Sequence, residues 1–161
     1  MVERFGHDAL ISVATLDGKR PAVRIVNSYY EDGSFYTVTY ALSNKMEQIK
    51  RNSAVAVCGE WFTAHGIGEN IGHPRDEENI ELMAKLREVF KEWYYNGHTN
   101  EEDPYTCILR IRLTDGILMS HGTRYDINFS EQEATSCAGG ATTTRPVACW
   151  TTPGTPTAPP R

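Results

Sequence analysis

Three short runs of β-branched and apolar residues, each followed by a tight-turn signal or a helix start, open this chain and limit its fold more than any other feature. "ALISVATL" (Ala9 to Leu16) is closed by "DGK", "PAVRIVNSYY" (Pro21 to Tyr30) is closed by "EDGS", and "FYTVTY" (Phe35 to Tyr40) comes third. Asp-Gly between such runs marks a hairpin, because glycine supplies the positive φ that a tight turn needs. The spacing predicts three antiparallel strands in a meander. A wound parallel sheet would need a helix between successive strands, and these turns leave no room for one.

The helical pattern first appears at "SNKMEQIKRN", where Ser43 can act as N-cap, Met46, Ile49 and Lys50 fall at helical spacing, and the helix ends near Asn52. "AVAVCGEWF" (Ala54 to Phe62) predicts a fourth strand, buried on both sides at its start. "AHGIGENIG" (Ala64 to Gly72) predicts an irregular fifth, its glycines marking bulges or a close backbone approach. From about Pro74 to Tyr95, Leu82, Leu86, Val89, Phe90 and Trp93 form an apolar stripe opposite Glu81, Lys85, Glu88 and Glu92, which predicts one long helix. "YTCILRIRL" (Tyr105 to Leu113) alternates cleanly, "TDG" predicts a turn, and "ILMSHGTRYDINF" (Ile117 to Phe129) predicts the last strand. Together these elements make a mainly β (α+β) chain, an antiparallel barrel with one short and one long helix.

A length of 161 residues allows one domain with a real core, placed at 1–130. From Glu131 the composition shifts to Thr, Pro, Ala and Gly, and five of the eight prolines lie in 131–161. Such a segment buries too little apolar surface to offset its ordering entropy. It is expected to be disordered, to be anchored only on a neighbour, or to be an extension added to or frame-shifted from the natural chain. The net charge of −5 argues against a broad basic face for nucleic acid. No apolar run approaches the roughly 20 residues that span a bilayer, and the first residues lack a signal peptide's apolar centre. The expected setting is cytoplasmic, with no membrane contact. Cys58 and Cys107 are expected to be reduced, buried strand residues, and the cysteine and histidine spacings support no metal site.

Lys45 poses the sharpest question of local chemistry. A helix start carries unsatisfied N–H groups and a partial positive charge, so it suits an anion. Ser43 adds a hydroxyl, Lys45 an ammonium, and Arg24 on the second strand a guanidinium; together they would suit a phosphate monoester. The alternative is an ordinary cap followed by a solvated lysine, although a cation in the first turn opposes the helix dipole. "GIGENIG" fails the dinucleotide fingerprint on spacing, since Gly66, Gly68 and Gly72 are followed by no immediate helix. No G-x-S-x-G elbow is present. His65 and His121 read as surface or hydrogen-bonded groups. Trp93 reads as core or interface, Tyr94 and Tyr95 as a subunit contact, and Trp61 as a residue that could stack on a planar ligand.

"FYTVTYALSNKMEQIKRNSAVAV", preceded by "PAVRIV", resembles the flavin-binding signature of the pyridoxamine 5′-phosphate oxidase-like split-barrel family, its small stress-protein-like members above all. The shared pattern is an arginine-bearing strand, an aromatic-x-threonine strand end, S-x-K, Q-I and an asparagine before the next strand. The resemblance implies an antiparallel split β-barrel that binds FMN at a homodimer interface. It implies Arg24 and Lys45 on the FMN phosphate, with Ser43 and Asn44 at the same helix start. Thr39 and Tyr40 would lie beside the ribityl chain, and the backbone of Arg24, Ile25, Val26 and Asn27 along the isoalloxazine ring. Trp61 becomes a candidate for the cover supplied by the second subunit. Asn44 stands where the family oxidase has a second basic residue, and the arginine-x-histidine element that holds pyridoxal phosphate is missing, so vitamin B6 oxidation is not expected. The implied activity is an FMN-dependent oxidoreductase acting on a small molecule; the alternative is a non-catalytic flavin-binding or stress-sensing protein.

Overall fold

The computed structural model describes residues 1–138 and 141–146. Its strands are β1 (Ala9–Asp17), β2 (Arg20–Glu31), β3 (Ser34–Tyr40), β4 (Ala54–Gly59), β5 (Phe62–Asn70), β6 (Thr106–Ser120), β7 (Thr123–Asn128), β8 (Glu133–Ala138) and β9 (Ala141–Pro146). All pair antiparallel in the order β3-β2-β1-β4-β5-β6-β7-β8-β9, and an added β3–β6 pairing closes the first six into a barrel. The meander of β1 to β3 follows from its turns: Gly18 has φ +62, and Asp32 and Gly33 have φ +45 and +75.

The alternation read in the strands is the alternation of burial. Ile11 and Val13 of β1, Phe35 of β3, Val55 and Val57 of β4, and Leu109, Ile111 and Leu113 of β6 fill the barrel around Phe5 and Phe62. Helix α1 (Val2–Phe5) carries Phe5 into that core, where its ring meets Phe35 edge-on at 5.5 Å. Helix α2 (Asn44–Arg51) plugs the barrel with Met46 and Ile49. The register between β5 and β6 slips between His65 and Gly66, but the extra residue is Thr114 of β6 and not a glycine of the fifth strand. Gly66 is required there because an added Cβ would fall 2.7 Å from the Arg112 carbonyl oxygen.

Several elements differ from the sequence expectation. β4 ends at Gly59, so Phe62 opens the next strand, and Ala54 is exposed rather than buried at the strand start. "TDG" is not a turn. β6 continues through Thr114, Asp115 and Gly116, with Thr114 as the bulged residue, and Gly116 serves close packing on β5, where an added Cβ would lie 2.9 Å from the Ala64 Cβ. The reversal occurs instead at His121 and Gly122, at φ +49 and +74. His-Gly adopts a turn that Asn-Gly or Asp-Gly usually announces. The single long helix is divided into a 3₁₀ turn (Glu77–Asn79), α3 (Ile80–Val89) and a short α4 (Lys91–Trp93), followed by a wide turn with Gly97 at φ +95. Cys58 is exposed on the outer face, whereas Cys107 is buried.

α3 covers the outside of the barrel. Met83, Leu86, Phe90 and Tyr94 enclose Ile108 of β6 and pack on Tyr29, Tyr36, Val38 and Ile71. Tyr94, expected at a subunit contact, is therefore core, while Tyr95 remains exposed. The composition shift at Glu131 does not coincide with the end of the sheet: β8 pairs with β7 and β9 with β8. The expectation for 147–161 lies outside the described residues.

Candidate functional site

The barrel is split. β2 pairs with the whole of β1, from Ser28 opposite Ala9 to Arg20 opposite Asp17. Its pairing with β3 covers only Tyr29, Tyr30 and Glu31. On its other edge β3 pairs with β6 over its full length, Ser34 to Tyr40 facing Arg112 to Thr106, so from Thr37 onward β3 stays in the barrel while its β2 side is unpaired. A cleft therefore opens between β2 and β3, with the β2 backbone from Arg24 to Asn27 along one wall. Unpaired edge groups are costly unless water or a ligand meets them.

The cations gather at the mouth of this cleft. β3 ends at Tyr40, and α2 starts at Asn44 with Ser43 at its N-cap. Arg24 lies on the inward face of β2, where its Nη1 donates to Thr15 Oγ1 at 2.6 Å and lies near the carbonyls of Ala22 and Val13 at 3.0 and 3.1 Å. Its Nη2 donates to Gln48 Oε1 at 2.8 Å, which also accepts from Thr15 Oγ1 at 2.5 Å. Every one of these acceptors is neutral. Burial lowers the Arg24 pKa from its ordinary value. Lys45, half-buried, is held below its ordinary value by burial first and by the Arg24 guanidinium second, with Cys107 opposing. Among the described residues neither cation has a carboxylate partner.

Ser43 adds a further sign of a missing partner. It occupies the N-cap position, yet its side chain makes no capping hydrogen bond, and Oγ is buried without any partner. A buried hydroxyl without a partner costs about 1–3 kcal/mol. The first-turn N–H groups of α2 point the same way and cannot bond within the helix. Two half-buried cations, an orphaned hydroxyl and a helix start thus converge without an acid, an arrangement that fits one phosphate group. Asn44, beside them, is exposed and neutral.

The other expected site residues distribute as follows. Thr39 lies opposite Cys107, whose thiol burial pushes up to about 11. Tyr40 is exposed at the cleft mouth. Val26 faces the barrel core, whereas Ile25 points outward, 67 % exposed. Asn27 Nδ2 donates to Asp8 Oδ1 at 2.8 Å, and Asp8 Oδ2 accepts from Trp93 Nε1 at 2.6 Å, so one carboxylate ties the cleft strand to α4. Trp61 is not brought to the cleft. It sits in the β4–β5 turn at φ +54, 70 % exposed, with its carbonyl accepting from the Met119 amide at 2.8 Å. β1 and β4 separate it from β2.

Two groups escaped the sequence reading of the site. Thr15 had a signal: it is the polar member of the buried face of β1. Asp8 had none, because its partners are 19 and 85 residues away.

Two other hollows have weaker chemistry. One, of about 320 Å³, lies on the outer sheet face against Ser12, Ala14, Cys58, His65 and Asp115. Its polar groups already meet each other, with His65 Nδ1 2.8 Å from Asp115 Oδ1. The other, of about 550 Å³, lies beside α3, and its Arg110 is neutralised by Glu69 at 2.5 Å. Among the described residues no three His, Cys, Asp or Glu side chains gather as a metal site, and no helix is long and apolar enough to cross a membrane.

A lysine in an unfolded chain stays protonated to about pH 10.4. Because the folded pKa of Lys45 is lower, the unfolded chain binds more protons between the two values, and stability rises with pH through that window. Below it the charge is buried at full cost. Lys45→Met should therefore raise the urea midpoint of the ligand-free protein at pH 7. Relief of the first-turn dipole alone contributes about 0.3–1 kcal/mol, and the gain should shrink as pH approaches 10. A destabilised variant at pH 7 would show that Lys45 has a structural partner.

No protein-family model matches the chain, and no curated protein matches it. Solved structures do. General stress protein 26 from Bacillus anthracis aligns with a TM-score of 0.55 at 16% identity, covering 71% of this chain and 87% of that one. A FAD-binding protein from Mesorhizobium loti gives 0.55 at 15% identity over 71% and 88% of the two chains. A pyridoxamine 5′-phosphate oxidase-related, FMN-binding protein from Nostoc punctiforme gives 0.51 at 15% identity over 86% of each. The chain thus has the fold of the pyridoxamine 5′-phosphate oxidase-like split barrels.

Proposed function

We propose that the β2–β3 cleft binds the FMN moiety of a flavin nucleotide, and that the chain is a cytoplasmic oxidoreductase acting on a small molecule. The observation that carries this reading is the cradle at the cleft mouth: Arg24 and Lys45 without an acid, beside the partnerless Ser43 hydroxyl. The names of the similar structures, FMN-binding and FAD-binding, support the same ligand class.

When bound, the flavin supplies the electron-transfer chemistry. The residues of the chain hold and shield it. Lys45 and Ser43 take the phosphate, together with the first-turn amides. Arg24 is kept in place by Thr15 and Gln48, so its charge faces the same anion without rotamer loss on binding. The open backbone of Arg24 to Asn27 offers N–H and C=O groups to the polar edge of the ring. Thr39 and the backbone of Tyr40 flank the connecting chain, which leaves the Tyr40 ring at the cleft mouth. Asp8 fixes the Asn27 amide, whose Nδ2 must face the carboxylate because a carboxylate only accepts.

A second copy of the chain completes the site. Leu10, Val23, Ile25 and Trp61 are 63–70 % exposed. The register lines up Ile25, Ser12, Cys58, Thr63 and Ile117 across the outer sheet face, with Val23, Ala14, Ala56, His65 and Asp115 in the neighbouring row. This largely apolar face begins on β2 itself, so whatever covers it also closes the open side of the cleft. Trp61 holds a positive φ that costs a bulky residue about 1–3 kcal/mol, which fits a side chain offered to a partner. A flavin-binding protein without turnover would share all these features. Anaerobic reduction of the bound flavin by NADH or NADPH, then reoxidation by acceptors, separates the two; no reduction under any condition would leave only binding.

Lys45→Met should weaken FMN by roughly 1.5–3 kcal/mol, the worth of a charge-assisted hydrogen bond, and leave riboflavin nearly unchanged, as read by titration of flavin fluorescence. Equal losses for both ligands would remove Lys45 from the phosphate. Ile25→Lys should turn a dimer into a monomer in sedimentation velocity and lower flavin retention on gel filtration. A wild-type monomer would overturn the second-copy proposal.

A further inference from the structure

The cleft mouth carries an aromatic pair that neither core uses. Tyr40 ends β3 and Tyr105 immediately precedes β6, and their rings meet edge to face at 6.0 Å and 71°. The Ala41 amide donates to the Tyr105 carbonyl at 2.7 Å, and the Ser43 amide donates to the Tyr40 carbonyl at 3.0 Å. The backbone from Tyr40 to Ser43 therefore ties the ring pair directly to the orphaned hydroxyl. Tyr40, Leu42 and Tyr105 are 42 %, 52 % and 48 % exposed. Neither tyrosine hydroxyl has a hydrogen-bond partner among the described residues, so polar anchoring does not explain the exposed rings.

Direction matters here. The cleft narrows toward Tyr29 and Tyr36, where β2 and β3 pair, and opens toward Tyr40. A ring lying along Arg24 to Asn27 points into the cleft, so anything attached to the far side of the phosphate leaves through the mouth, past Tyr40 and Tyr105. The charge pattern agrees. A phosphate monoester presents three charge-bearing oxygens, whereas a phosphate continuing into a second group presents two, and its bridging oxygen needs no cation. Arg24 and Lys45 are the two cations at the cleft mouth, and Asn44 between Ser43 and Lys45 is neutral and exposed.

We propose that Tyr40 and Tyr105 form a stacking subsite for a planar base joined to the flavin through its phosphate, so that the chain prefers the adenine dinucleotide FAD to FMN. The proposal rests on the flavin reading above. Stacking of a base on an aromatic side chain is sequence-tolerant and strong enough to change affinity about tenfold.

The test is titration of the ligand-free protein with FMN and with FAD. Wild type should bind FAD about tenfold more tightly than FMN. Tyr105→Ala should abolish that difference by weakening FAD alone, and Tyr105→Phe should keep it, since stacking needs the ring and not the hydroxyl. FMN bound as tightly as FAD by wild type, or Tyr105→Ala weakening both flavins equally, would overturn the subsite while the flavin cleft stands. Failure of both flavins to bind would overturn the cleft reading and this proposal with it.

Discussion

One strand with two unequal edges organises this molecule. β2 gives one edge to β1 over nine residue pairs and the other to β3 over three. Because the opposite edge of β3 pairs with β6 over its full length, the barrel closes without using the edge of β2 from Arg24 to Asn27. The core tolerates this because closure comes from β6, whose inward residues Cys107, Leu109, Ile111 and Leu113 are at most 3 % exposed. The bulge at Thr114, opposite His65 and Gly66, lets one long strand serve both β3 and β7. The cleft is a product of the topology, and the helix that follows β3 has to start at its mouth.

That start concentrates positive charge where the fold gains nothing from it. Lys45 opposes the dipole of its own helix, lies half-buried, and repels Arg24. The Ser43 hydroxyl is buried without a bond. Each feature lowers stability in the ligand-free chain, and each is relieved by the same addition, an anion with several acceptor oxygens. Local cost at a site whose surroundings are well determined is a mark of function more than of a loose fold. Thr15 and Gln48 show the same economy: they satisfy Arg24 with neutral acceptors, holding its geometry while leaving its charge unspent.

Much of this was legible in the sequence, for identifiable reasons. The Asp-Gly turns and the alternation of burial gave β1 to β3, and the pairing of Arg24 with the Ser43–Lys45 helix start followed from the resemblance and from helix-end electrostatics. What failed was punctuation of an unusual kind. Asp115-Gly116 looks like a turn, yet its glycine serves close packing on Ala64. His121-Gly122 does not look like a turn, yet it makes one. The start of the threonine-rich segment, Glu133 to Cys137, pairs with β7 through backbone groups, which composition alone does not record. The Asp8 link between Asn27 and Trp93 spans distances that no local pattern records.

The measurement closest to the central claim is the change in backbone amide chemical shifts as FMN is added to the isotope-labelled protein. The account predicts the largest changes at Ser43 to Met46 and Arg24 to Asn27, with Thr39 and Tyr40 following, and small changes around the outer hollow at His65 and Asp115. Changes centred on that hollow, with Ser43 to Met46 unmoved, would contradict it.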